Sequence, residues 1–366
     1  MPPLLSRLIL PALYLSCAVA TAWSQSSLAR ALPVATPEQV GVDGAKLAKA
    51  IEVYAKAAGG AGAERMVVVR QGCVIWRGAM ADQVQPVRGL PKVITSLVFG
   101  VLVDEGKFAL DDPAARYEPR LAELYPTVTF RHFLTNTSGY RGIDDLVPHS
   151  ELFSKPPLED PFVPIEPKFP AGTQFELSDT AIVMGVLAAT RAAGESFEDV
   201  FWSRVGGPIG VDRERFSWGA YALPGGIRVN GGAGHFHGIT TNADELAKVA
   251  VLLAGDGDWN GRQLVSRRYL QAATEVQADR PKPDPKYVPG GFIFRTLGVH
   301  SRLRLDLPDL PIRATWGMAS KNTSIAFVPE WSLAVVRLSD GRPEQGIGSE
   351  ALVTFLSGIG AAIKQP

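Results

Sequence analysis

Residues 87–106 constrain the fold more than any other part of this chain. Their apolar side chains recur at the i, i+3 and i+4 spacing of a helix and extend around most of its circumference. Pro91 suits the first turn, where its missing N–H has no intrahelical partner, and Gly106 suits the left-handed position that ends a helix. A helix that is apolar nearly all round must be covered on every side. We therefore expect it to lie in the middle of a domain.

Lys92 lies in the first turn of this predicted helix. A cation there opposes the helix dipole, and a long charged side chain is costly to bury without a partner. Lysines at such positions are structurally inert in most proteins. In a helix that is otherwise apolar, however, we expect Lys92 to have a specific partner.

The composition is that of a globular protein of ample size. The chain has 366 residues, 46% of them hydrophobic, with 37 basic and 37 acidic side chains. A net charge of zero provides no long-range field that would attract nucleic acid, so we expect no nucleic-acid partner. The sequence does not determine the oligomeric state.

Residues 1–25 have the features of a secretory signal peptide. Arg7 precedes an apolar run at residues 8–20, and Ala20 and Ala22 frame a cleavage site. The run is shorter than the ~20 residues that a membrane span needs, so we expect no span. We predict a periplasmic or secreted protein, with lipidation at Cys17 as a less favoured alternative. Cys73 is then the only cysteine of the exported chain, and we interpret it as a small buried hydrophobe rather than a nucleophile.

Hydrophobic periodicity predicts strands at both ends of the chain and helices between them. The predicted strands are Met66–Val69, Cys73–Trp76, Gly291–Thr296, Thr323–Val328 and Leu333–Leu338. The predicted helices, besides the central one, include Asp43–Ala58, Ala181–Ala193, Asn242–Ala254, Tyr269–Glu275 and Glu350–Ile363. Glycine-rich residues 225–238 are predicted to form a loop. The arrangement indicates an α+β fold with an antiparallel sheet that is built from both chain ends and flanked by helices.

Three segments resemble the beta-lactamase-related serine hydrolases. They are residues 87–106, Leu110–Pro113 and Thr129–Tyr140, the last reading TFRHFLTNTSGY. This family includes class C beta-lactamases, D-alanyl-D-alanine carboxypeptidases, family VIII esterases and 6-aminohexanoate-dimer hydrolases. The resemblance implies a beta-lactamase/transpeptidase-like domain at residues 40–360 with an inserted, mostly helical subdomain at about 107–215. It implies no cofactor and no metal.

The first motif of that family is Ser-x-x-Lys, in which the serine is the nucleophile and the lysine assists proton removal. The corresponding residues here are Gly89, Leu90, Pro91 and Lys92, and no other Ser-x-x-Lys occurs in the chain. Glycine has no side chain with which to attack a carbonyl. The resemblance therefore makes Lys92 the motif lysine and Gly89 an empty nucleophile position.

The second motif, Tyr-x-Asn or Tyr-x-Asp, corresponds to Leu177, Ser178 and Asp179. Leucine has no proton to exchange, so the tyrosine function is also missing. If Asp179 lies within ~4 Å of Lys92, its carboxylate favours a charged amine, which is a poor base. The alternative is a surface loop in which Ser178 caps the following helix.

The remaining candidate residues have weaker support. The third motif falls at residues 316–322, where Ser320 and Lys321 are candidates for substrate binding, although a lysine before a strand is usually just solvated. His235, in the glycine-rich segment, is a candidate pocket residue; with His237 it lacks a third ligand at helical spacing, so we expect no metal site.

Two functions follow from these motifs. The first is an exported protein of this family that has lost catalysis and at most binds a small or peptide-like ligand. The second is an amide or ester hydrolase whose nucleophile has been replaced only in this version of the chain. Loss of both Ser and Tyr favours the first, because replacement of the serine alone does not explain Leu177.

Overall fold

We describe a computed structural model, which defines residues 31–59, 62–146, 162–232, 237–275, 295–296, 310–311, 313–319, 323–339 and 348–364. The predicted signal peptide lies outside these residues. The α-helices are α1 Gly44–Ala58, α2 Pro91–Asp104, α3 Phe130–Leu134, α4 Asp179–Ala193, α5 Phe197–Val200, α6 Ala243–Ala254, α7 Arg267–Thr274 and α8 Gly348–Ala362. A π-helical turn, Phe201–Gly206, continues α5.

The strands are mostly short. They are β1 Met66–Arg70, β2 Cys73–Arg77, β3 Gln85–Pro86, β4 Arg141–Gly142, β5 Pro164–Ile165, β6 Ser217–Trp218, β7 Ala220–Leu223, β8 Ile227–Asn230, β9 Ile239–Thr241, β10 Asp258–Trp259, β11 Arg262–Gln263, β12 Arg295–Thr296, β13 Thr315–Met318, β14 Ser324–Val328 and β15 Leu333–Arg337. The longest of them, at five residues each, are β1, β2, β14 and β15.

The main sheet has the order β12-β13-β14-β15-β1-β2, and all its neighbouring strands are antiparallel. The C-terminal strand β15 pairs with the N-terminal strand β1 over five residues, from Met66 opposite Arg337 to Arg70 opposite Leu333. The predicted sheet built from both chain ends is therefore confirmed. It forms because alternate residues of these β-branched strands meet two separate apolar layers.

Each face of the sheet is covered by helices. On one face, α1 and α8 pack together over alternate strand residues such as Met66 and Val68. On the other face, α6 packs on β1, β14 and β15, and α2 lies within the larger cluster that includes Val67 and Val69. Every residue of α2 from Val93 to Leu102 is buried. The central helix is thus enclosed, as its sequence predicts.

The insertion between β2 and β12 is mainly helix and turn over residues 107–146 and 162–215. In one segment the prediction was wrong. The glycine-rich residues 225–238 were expected to be a loop, but they contribute β8, which pairs with β7, and Leu223 lies opposite Ile227. Gly225 and Gly226, at φ 83° and 78°, make the tight connection between those strands. The glycines close a hairpin rather than extend a loop.

None of the helices within the described residues is long and apolar enough to cross a membrane.

Candidate active site

The first group of candidate site residues lies at the start of α2. Pro91 is its first residue and Lys92 its second, and no side chain caps the helix. Arg88 lies two residues before Leu90, the N-cap of α2. Its φ of 55° is left-handed, a conformation that residues other than glycine rarely adopt. Such strained backbone clusters at functional positions. Gly89 follows it directly and does not itself have a left-handed φ.

The second group of candidate site residues lies at the start of α4. Ser178 is the N-cap, and its hydroxyl accepts a hydrogen bond from the Ala181 N–H at 3.0 Å. Asp179 is the first residue of the helix, where a carboxylate interacts favourably with the helix dipole. The structural role considered for Ser178, a helix cap, is therefore observed. Leu177, just before it, is 40% exposed.

Lys92 and Asp179 form a salt bridge. The Lys92 Nζ atom lies 2.5 Å from Asp179 Oδ1, and the two side chains are 14% and 22% exposed. The two groups thus lie within the ~4 Å at which the carboxylate acts on the amine. The carboxylate supplies the partner that a lysine in the first turn of a buried helix needs, because it offsets both desolvation and the opposing dipole. The pair joins the N-termini of α2 and α4.

A side chain at position 89 would point toward this pair. A Cβ atom built on Gly89 would lie 4.0 Å from Lys92 Nζ and 3.2 Å from the Cβ of Ala319, which follows β13. The first distance is short enough for a hydroxyl one bond further out to reach the amine. The second means that Ala319 must give way by a few tenths of an ångström. Ala319 therefore lines the site, a role that the sequence did not indicate.

Asn136 positions the segment that leads into α4. Its backbone carbonyl accepts the Glu176 N–H at 2.9 Å, and its side-chain Oδ1 accepts the Ser178 N–H at 3.4 Å. Asn136 itself has φ 54°, which asparagine tolerates better than most residues. The Thr129–Tyr140 motif thus positions Leu177 and Asp179. Sequence reasoning treated this motif as a signature of the fold and did not identify Asn136.

Asp145 is a second carboxylate next to α4. It accepts the Gly142 N–H at 2.9 Å and the hydroxyl of Thr180, the neighbour of Asp179, at 3.4 Å. Burial raises the pKa of Asp145 above its ordinary value, and the hydrogen bond from Gly142 only partly offsets this. The folded protein therefore binds the proton of Asp145 more tightly than the unfolded chain does.

This pKa shift predicts a pH dependence of stability. A raised folded-state pKa contributes stability that is fully present below the unfolded pKa of about 4 and is lost as pH rises through the folded value. We expect Asp145→Asn, which stays neutral, to gain stability relative to the unchanged protein as pH rises from about 4 to 7. Urea midpoints of both proteins across that range measure it. A difference that does not change with pH would contradict the prediction.

Three predicted site residues, His235, Ser320 and Lys321, lie outside the described residues. Within the described part of the chain, no group of His, Cys, Asp and Glu side chains could hold a metal ion. The site as described therefore consists of Gly89, Lys92 and Asp179. Ala319 lies beside Gly89, and Leu177 precedes Asp179 by two residues in the chain.

Comparisons with known proteins agree with this arrangement. The sequence profile of the Beta-lactamase family matches residues 47–353. The chain is similar to a penicillin-binding protein homologue from Caulobacter crescentus, with a TM-score of 0.65 and 17% identity over 88% of this chain and 99% of that one. A family VIII carboxylesterase has a TM-score of 0.64 and 17% identity over 90% and 98%.

The octameric penicillin-binding protein homologue from Pyrococcus abyssi has a TM-score of 0.59 and 17% identity over 88% of this chain and 79% of that one. No curated protein matches the sequence. At these identities the solved structures establish the beta-lactamase/transpeptidase-like α+β fold alone. The family profile spans most of the chain, and on that ground this protein belongs to the beta-lactamase-related family of serine hydrolases.

Proposed function

We propose that this protein is an exported member of the family that does not catalyse acyl transfer as its sequence stands and instead binds an amide- or ester-containing ligand without reacting with it. The observation that carries the proposal is glycine at position 89, beside Lys92. Covalent catalysis requires a nucleophile that attacks the carbonyl carbon, and glycine has none.

The neighbouring groups support the same conclusion. A general base must offer a lone pair within reach of the proton that it removes. The amine of Lys92 lies 2.5 Å from the carboxylate of Asp179, and glycine at position 89 offers it no hydroxyl proton to remove. Leu177, at the position of the motif tyrosine, has no proton to transfer. Water activated by Lys92 would lack the fixed position of a covalent nucleophile, so any rate should be low.

Ligand binding is what the remaining site can still provide. Leu177, two residues before Asp179 in the chain, presents an exposed apolar side chain. An apolar side chain and a charged pair in one region suit a small ligand with an apolar group and a polar carbonyl, since ligand sites combine apolar surface with a few polar groups. The penicillin-binding and carboxylesterase names of similar structures point to amides and esters as the ligand class. The signal-like residues 1–25 support export.

The proposal predicts that no serine of this protein becomes acylated. We expect no stoichiometric labelling by a fluorescent penicillin or a fluorophosphonate probe, while the same compounds raise the melting temperature if they bind. Intact-mass spectrometry measures the label, and a heat-denatured sample controls for non-specific reaction. Covalent label mapped to any serine would contradict the non-catalytic function.

A second candidate function is an amide or ester hydrolase whose serine is replaced only in this version of the chain. It is supported by the backbone at position 89, which does not have a left-handed φ and so does not require glycine. A Cβ atom at position 89 would also nearly fit, since its tightest contact would be the Ala319 Cβ at 3.2 Å. Restoring the serine separates the two functions, and we consider that experiment in the Discussion.

A further inference from the structure

Arg70 and Cys73 flank the turn between β1 and β2. The two turn residues, Gln71 and Gly72, have φ 50° and 76°, as in the type I′ turn that is favoured in two-residue hairpins. Arg70 and Cys73 are direct partners in the strand register. Their side chains therefore lie on the same face of the sheet, with Cβ atoms about 5 Å apart.

This face of the sheet is the one that α1 and α8 cover. Met66 and Val68, which share the orientation of Arg70 along β1, belong to the core cluster beneath those helices. Cys73 packs against the same cluster but is only partly buried. It was predicted to be a buried hydrophobe, and the difference arises because it lies beside the turn at the end of the sheet rather than in its middle. Its thiol is free.

Arg70 is a buried cation with no carboxylate partner among the residues that the structure describes. The residue is 9% exposed, and its buried Nε and Nη1 atoms have no hydrogen-bond partner among the residues that the structure describes. Burial lowers the pKa of Arg70 below its ordinary value. A buried charge is costly unless it is paired. An anionic group that reaches Arg70 would therefore be stabilised there.

We propose that Cys73 and Arg70 together form a thiol modification site for low-molecular-weight disulfides that carry carboxylate groups. The Cys73 thiol loses its proton to solvent, and its sulfur attacks one sulfur of the disulfide. The original S–S bond breaks, a new one forms to Cys73, and the other half leaves as a thiolate. No further oxidant is required. Arg70 supplies the positive charge that pairs with the carboxylate of the incoming reagent and of the bound adduct.

The test compares two reagents on the full chain. One is 5,5′-dithiobis(2-nitrobenzoate), which is anionic, and the other is 4,4′-dithiodipyridine, which is neutral. The ratio of their rate constants cancels changes in the intrinsic reactivity of the thiol and isolates the effect of charge. We expect Arg70→Gln to lower the ratio about tenfold, since it removes one poorly solvated charge on the residue directly opposite Cys73. Arg70→Lys, which keeps the charge, should retain most of the ratio.

Two controls define the site. Cys73→Ser removes the reaction at this position, and peptide mass spectrometry separates it from any reaction at Cys17. Arg65→Gln removes the same charge near the opposite end of β1, where the guanidinium bonds to Gln83 and Gln85, and should leave the ratio unchanged. A ratio that is equal in the unchanged chain and Arg70→Gln, or an equal effect of Arg65→Gln, would overturn the proposal.

A measurement on the unchanged chain tests the same proposal without any risk to folding. Raising the ionic strength from about 0.05 to 0.5 M shortens the screening length and should slow the anionic reagent at Cys73. The neutral reagent should react at nearly the same rate throughout. If higher ionic strength slows the reaction of neither reagent, or slows both equally, Arg70 exerts no charge effect on the reaction of this thiol.

Discussion

Replacing Gly89 by serine should convert a protein that is not acylated into one that reacts with penicillin or ester probes. A serine Cβ would lie 4.0 Å from Lys92 Nζ, so its hydroxyl can approach the amine closely. The backbone at position 89 accepts an L residue, because its φ is not left-handed. We expect labelling on the order of 10²-fold or more above the unchanged chain, the scale on which a positioned base contributes. Intact mass and the rate of nitrocefin or p-nitrophenyl ester turnover measure it.

Matched variants separate the possible reasons why Gly89→Ser is or is not labelled. Gly89→Ala adds the same Cβ without a hydroxyl and should remain unlabelled, which controls for any effect of crowding. Ala319→Gly, combined with Gly89→Ser, removes the 3.2 Å contact and should increase labelling if that contact displaces the serine. If only the combination of Gly89→Ser with Leu177→Tyr reacts, the missing tyrosine also prevents acylation. If every folded variant stays unlabelled, the site is not assembled for acyl transfer.

Replacing Lys248 by alanine should lower the free energy of unfolding by about 3–5 kcal/mol, because it leaves a buried carboxylate without its partner. The Lys248 Nζ atom lies 2.7 Å from Glu245 Oε2, and the two side chains are 3% and 7% exposed. The amine also donates to the Gly210 carbonyl at 2.6 Å, and the Asp212 N–H donates to Glu245 at 2.8 Å. The pair thus ties α6, which covers the main sheet, to the segment that contains Gly210 and Asp212 and precedes β6 in the chain.

The chain provides a control pair with the same spacing. Lys49 and Glu52 in α1 are also three residues apart, at 2.9 Å, but both side chains are 69% exposed. We expect Lys49→Ala to change the free energy of unfolding by no more than about 0.5 kcal/mol. Urea unfolding of the three proteins measures the difference. Equal losses for the two variants would show that burial does not govern the strength of these pairs.

Sequence patterns determined the sheet and its central helix. The short, continuous and mostly apolar runs of β1, β14 and β15 and the all-round apolar character of α2 are local features that can be read from the sequence. The Asn242 N-cap of α6 was also predictable and is present, since its side chain accepts the Glu245 N–H. In a capping box the carboxylate of Glu245 would also bond back to the Asn242 N–H. That carboxylate instead pairs with Lys248 and accepts the Asp212 N–H, because burial makes a charged partner worth more than a cap.

The sequence by itself determined that position 89 has no nucleophile, that Lys92 needs a partner and that Asp179 was the candidate. Only the tertiary structure decided that these two residues meet. Lys92 and Asp179 are 87 residues apart in the sequence, and their contact depends on how the N-termini of α2 and α4 approach one another. It also decided the space beside Gly89, which Ala319 restricts, and the partial exposure of Cys73. It decided as well that the Nε and Nη1 atoms of Arg70 have no hydrogen-bond partner in the described part of the chain. Contacts between distant segments leave no periodic trace in a single sequence, so packing alone reveals them.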